Sequence, residues 1–277
     1  MVPAMNVVGL RRSTALAATC ASFVLAAMLL AAPSQALEEA VNPITGRPGV
    51  TESFLLIKPD VPPVAPVVLF AGSEGVVNLQ NFQSPTWGTS NFLVRNRRRF
   101  AEQGLLVAVL DVPSDHSTGL GSFRTSADHA RDVAAVIAAL RQESPAPVWL
   151  VGTSMGAVSA VNAAARLKEG GPDGLVLTST VTHRTRNIHV TVNDVALDEI
   201  RVPTLVVHHE ADGCVASPFG AAKVLDKALK RAPKKAFMAF TGGTDTGNPC
   251  EGMAAHGYNG IDDQVVQAIT GWIKQPR

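Results

Sequence analysis

Residues 148–157 read Val-Trp-Leu-Val-Gly-Thr-Ser-Met-Gly-Ala. An apolar run ends at Val151, Gly152 to Gly156 forms a break, and a small-residue stretch of helical character follows from Ala157 to Leu167. That is a strand, a tight turn and a helix, with Ser154 at the apex. A serine at the tip of so sharp a turn is held in a strained backbone conformation. The positions two residues to either side must then be small, so that strand and helix can pass closely. The strain turns the hydroxyl outward, and the first turn of the helix sets free N–H groups and a positive dipole end beside it.

By itself such a glycine-bearing turn fits any α/β protein, and the rest of the chain narrows the reading. Short continuous apolar runs recur at Val67–Phe70, Leu105–Leu110, Leu175–Thr178, Val202–His208 and Ala236–Phe240. Helical patterns stand between them at Asn91–Gln103, from Thr125 with Asp128 at the capping-box position, at Ser217–Arg231 and at Ile261–Ile273. Runs apolar throughout are what parallel strands buried on both faces require. The alternation predicts an α/β chain with one mostly parallel central sheet flanked by helices, and no repeat or linker divides it. Leu37–Val50 reads as a loosely attached lead-in, Thr51–Lys58 as an edge strand, and Arg95 with Arg97–Arg99 as a solvated helix face. Thr180–Ile200 carries no long amphipathic helix.

The first 36 residues differ from the remainder. Arg11-Arg12 precedes an apolar, Ala- and Leu-rich stretch, Ser13–Ala32, which Pro33 breaks, and Ser34-Gln35-Ala36 offers small residues for cleavage. This pattern predicts a secretory signal removed near Ala36, an uncleaved membrane anchor being the alternative. The mature chain, 37–277, then lies in the periplasm or outside the cell, and its only membrane contact is through that signal. The whole sequence has 24 Lys and Arg against 23 Asp and Glu, and removal of Arg11 and Arg12 leaves 22 against 23. A balance so near neutral argues against nucleic acid or an anionic surface as a partner.

With a strand before it and a helix after it, the G-x-S-x-G of Gly152–Gly156 resembles the nucleophile elbow of the α/β-hydrolase superfamily. The resemblance extends from about Val67 to the C-terminus. It implies a single-domain α/β-hydrolase fold and a serine nucleophile, Ser154, followed along the chain by an acid and then a histidine. The acid belongs after the Val202–His208 run. Asp212, just before Gly213, takes that place, with Glu210 as the alternative. The base belongs before the last helix, where His256 lies. His116, His129, His183, His189, His208 and His209 are misplaced for it, and His208-His209 lacks the second cluster that a metal site needs. The resemblance also places an oxyanion hole at the N–H of Met155 and in the loop Ala71-Gly72-Ser73-Glu74-Gly75, with Ser73 or Glu74 as donor. The usual His-Gly-Gly-Gly form of that loop is absent.

Cys20 leaves with the signal, so Cys214 and Cys250 remain as an even pair in an oxidising compartment. If bridged, they tie the acid loop to the base loop, as in some secreted esterases and polyester hydrolases. The expected activity is hydrolysis of a small-molecule or polymeric carboxylic ester through an acyl-enzyme, with no cofactor and no metal. An amidase or peptidase using the same triad is an alternative, as is a hydrolase-like binding protein. Thr241–Asn248 reads as a polar turn or a substrate contact.

Overall fold

The structure is a computed structural model and describes residues 37–79 and 84–275, together with Met1. The segment read as an export signal lies outside the described residues. Among the described residues, no helix is long and apolar enough to cross a membrane.

Eight strands form one sheet in the order β1-β2-β4-β3-β5-β6-β7-β8. The strands are β1 Glu39–Arg47, β2 Val50–Ile57, β3 Ala65–Phe70, β4 Leu105–Leu110, β5 Trp149–Thr153, β6 Gly174–Thr178, β7 Thr204–His209 and β8 Lys235–Phe240. From β4 to β8 all neighbours run parallel, and β2 joins β4 antiparallel. The helices are α1 Phe92–Arg95, α2 Arg97–Glu102, α3 Ala127–Glu143, α4 Met155–Arg166, α5 Phe219–Ala222 and α6 Asp262–Ile273.

Strand alternation sends Val68 and Phe70 to one face of the sheet and Val67 and Leu69 to the other. The first pair packs with Val133 and Ile137 of α3 and Val158 and Val161 of α4. The second packs with Phe92 of α1, Phe100 of α2, and Val265 and Ile269 of α6. Both faces are therefore covered. The loops that leave the carboxyl ends of the parallel strands gather at one edge, where open α/β sheets place their sites.

Five expectations need correction. The lead-in is a strand: β1 pairs antiparallel with β2 along its length. It is half-exposed, and it tolerates Pro43 because an outermost strand can leave one backbone donor unpaired. β2 is thus internal rather than at the edge. The helix expected over Asn91–Gln103 breaks at buried Asn96, whose side-chain amide donates to the Phe92 carbonyl. The helix expected from Thr125 is capped instead by Ser126, which accepts from the His129 N–H. Ser217–Arg231 forms only α5 and a 3-10 turn at Leu225–Lys227. Leu225 and Leu229 still reach the core from there, so the apolar spacing is satisfied without a long helix.

Candidate active site

Ser154 joins β5 to α4 at φ 54°, ψ −123°, a region that L-residues occupy only under strain. Its N–H is held by the Thr178 carbonyl of β6 at 2.9 Å. The flanking glycines are required sterically. A β-carbon on Gly152 would stand 2.5 Å from the Gly156 carbonyl oxygen, and one on Gly156 would stand 2.1 Å from that of Phe70.

Asp212 and His256 meet as the chain order implied. The Asp212 Oδ2 atom lies 2.9 Å from His256 Nδ1, and Oδ1 accepts the Cys214 N–H at 2.9 Å. Burial alone would raise the Asp212 carboxyl, but hydrogen bonds from His208 and His256 and the charge of His256 outweigh it. The carboxyl is held well below the usual range and stays ionised. His256 is buried, and its other ring nitrogen, Nε2, has no hydrogen-bond partner among the described residues. Glu210 is exposed and takes no part.

Four residues around this pair were given no role from sequence. Ser217 Oγ donates to Asp212 Oδ2 at 3.0 Å and lies 3.0 Å from His256 Nδ1. His208 Nε2 stands 2.8 Å from the Ser217 carbonyl and 3.1 Å from Asp212 Oδ2. Ser179 Oγ donates to the His256 carbonyl at 2.6 Å, and the Tyr258 hydroxyl donates to Val207 while accepting the Ser179 N–H. The histidine turn is thereby pinned to the ends of β6 and β7. A contact between residues so far apart in sequence leaves no local pattern by which to find it. His209 turns to the Gly242 carbonyl instead. Among the described residues, no group of His, Cys, Asp and Glu is arranged to hold a metal ion.

The loop after β3 closes against the serine: a β-carbon on Gly72 would stand 3.0 Å from that of Ser154. Within it, Gly75 spends its N–H on the Gly72 carbonyl, and Ser73 has a left-handed φ of 50°. The fully buried Arg124 donates to the Ser73 carbonyl at 2.9 Å and to Ser159 Oγ at 2.8 Å. Burial lowers its guanidinium to about 10, while nearby Glu74 acts to raise it. Arg124 therefore fixes the carbonyl of a loop that lines the cleft beside Ser154. Cys214 and Cys250 are bonded, with Cα atoms 4.5 Å apart, and join the acid loop to the base loop. Closing a ring of this size stabilises the fold by about 3–4 kcal/mol in the chain-entropy account.

Ser154 stands between two clefts. One, of about 520 Å³, is lined by Ser154, His256, Glu74, Glu251, Trp87 and Phe92 among others. The second, of about 360 Å³, is lined by Ser154, Met155, Ile188, Val190 and the disulfide, and His256 is not part of it. The segment between β6 and β7 carries two single 3-10 turns, Val192–Asp194 and Leu197–Glu199, so no helical cap rises from it.

The sequence matches no family model and no curated protein. Solved structures do match the fold. A serine hydrolase without a lid from Xanthomonas campestris superposes with a TM-score of 0.57 at 20% identity, over 87% of this chain and 97% of its own. An esterase from Pyrococcus furiosus gives 0.60 at 13% identity, over 86% and 92%. The chain has the α/β-hydrolase fold. The acylaminoacyl peptidase of Pyrococcus horikoshii gives 0.60 at 10% identity over 88% of this chain and 42% of its own. Ser154, Asp212 and His256 follow β5, β7 and β8 in that order.

Proposed function

We propose that this chain hydrolyses carboxylic esters through an acyl-enzyme on Ser154. One observation carries the reading: His256, oriented by Asp212 and with its buried Nε2 unpartnered among the described residues, lines the same cleft as a serine in a strained turn. Ser154 Oγ attacks the carbonyl carbon and gives its proton to His256 Nε2, while Nδ1–H donates to Asp212 Oδ2. The oxyanion is received by the Met155 N–H and by a backbone N–H of Ser73 or Glu74. Collapse expels the alcohol, which takes the proton from Nε2. Water activated by the same nitrogen then releases the acid and frees Ser154.

The signal-like segment before Leu37 and the Cys214–Cys250 bridge support export to the periplasm or medium. The open approach to Ser154 suits soluble esters and exposed ester bonds of polymers.

The test is hydrolysis of p-nitrophenyl esters of increasing acyl length. Ser154→Ala is expected to lower kcat by about 10³-fold or more, and a fluorophosphonate should label the parent protein at Ser154 alone. Labelling without turnover of any ester, but with turnover of matched amides, would move the assignment to peptide or amide bonds. Absence of both labelling and turnover would leave a binding protein.

A further inference from the structure

The two clefts differ in chemistry, and the position of His256 assigns a role to each. The histidine must deliver its proton to the leaving oxygen, so the leaving group lies on its side of Ser154. His256 lines only the larger cleft, and the acyl group is left with the smaller one. This step rests on the reading of Ser154 and His256 given above.

Glu251 and the indole of Trp87, which is 59% exposed, line the larger cleft alone, whereas Glu74 lines both clefts. Among the described residues, no lysine or arginine lines the larger cleft. The nearby cations are engaged elsewhere. Arg95 is turned onto the carbonyls of Ser90, Gly252 and Gly257 and onto Asp262, and Arg124 is buried behind the Ser73 carbonyl. Arg124 offsets part of the charge of Glu74. Glu251 is exposed and has no ion-pair partner among the described residues. A carboxylate and an open aromatic face in one cleft are the pair of groups that receives an organic cation. The smaller cleft alone presents the apolar side chains of Met155, Ile188 and Val190, with Ser122, Asn187 and His189 also in its wall.

We propose that the preferred substrates are esters of a cationic alcohol, a quaternary or protonated amino alcohol, with a compact apolar acid. The acid occupies the cleft at Met155 and Ile188, and the cationic alcohol occupies the cleft at Glu251 and Trp87. Hydrolysis leaves the alcohol with its charge unchanged, so no further reactant is needed.

The test compares kcat/KM for three thioesters of butyric acid, followed by thiol release. These are butyrylthiocholine, its neutral isostere with a tert-butyl group in place of the trimethylammonium group, and the anionic ester of mercaptoethanesulfonate. The cationic ester is expected to exceed the neutral isostere by about fivefold or more, with the anionic ester slowest. About 0.5 M salt should compress that order. Glu251→Gln should cut the cationic-to-neutral ratio by about threefold. General damage would instead slow both esters alike, and an unchanged ratio in this variant overturns the role of Glu251. Equal or faster turnover of the neutral ester overturns the proposal and leaves ester hydrolysis standing. If no thioester or p-nitrophenyl ester is cleaved and Ser154 takes no fluorophosphonate, hydrolysis itself is overturned.

Discussion

Glu52 is fully buried on β2, and one of its carboxyl oxygens has no partner among the described residues. Burial pushes this carboxyl well above the ordinary range. The charges of Asp132 on α3 and Asp111 after β4 add to the rise, while the Ser53 N–H and Arg47 of β1 act against it. An acid raised on folding stabilises below its unfolded pKa, here near 4.5, and that contribution is lost as pH rises toward the folded value. Glu52→Gln cannot ionise and avoids the loss. Its Tm should therefore gain on the parent between about pH 5 and pH 8, by about 2–4 °C per kcal/mol recovered. Thermal melts across that range check it, and a parallel pair of curves would refute it. Ser154, Asp212 and His256 were legible at this scale because a strained turn, an acid before glycine and a histidine before the last helix each leave a local mark. Glu52, Ser217, His208 and Arg124 leave none, since each acquires its role from a partner supplied by the fold.

At the scale of elements, the parallel strands were legible because burial on both faces leaves only one kind of sequence. β1 escaped because an outermost strand with Pro43 and a half-exposed pattern reads as irregular chain. Arg95–Arg99 misled in part. Arg97 and Arg98 pair with Glu39, and Arg99 with Asp263, near the surface, whereas Arg95 is a strut. Its guanidinium joins α1 to Asp262 of α6 at 2.7 Å and to the carbonyls of Gly252 and Gly257 around the base turn. Arg95→Ala leaves those carbonyls without this donor and strips the ion pair from Asp262, which keeps only the Asn96 amide and the Gly260 N–H. The expected cost is about 2–3 kcal/mol in urea unfolding. The base turn should also loosen, lowering kcat by about tenfold with a smaller change in KM. Steady-state kinetics on the folded variant would separate the two effects, and an unchanged kcat would confine Arg95 to stability.

For the whole molecule, the sheet brings the carboxyl ends of β3, β5, β6 and β7 to one edge, and the site is assembled there from loops that share no sequence neighbourhood. The disulfide between the acid and base loops has a mechanical consequence. It closes a ring over the 36-residue separation of Cys214 and Cys250, and β8 lies inside that ring. When the chain is pulled from its two ends, tension reaching Cys250 crosses to Cys214 through the sulfur atoms and bypasses β8. The fully stretched protein should then be shorter by about 120 Å than its reduced form, a difference that force spectroscopy with and without a reductant would read directly. The outer strand of the sheet would stay slack while the rest of the fold carries the load.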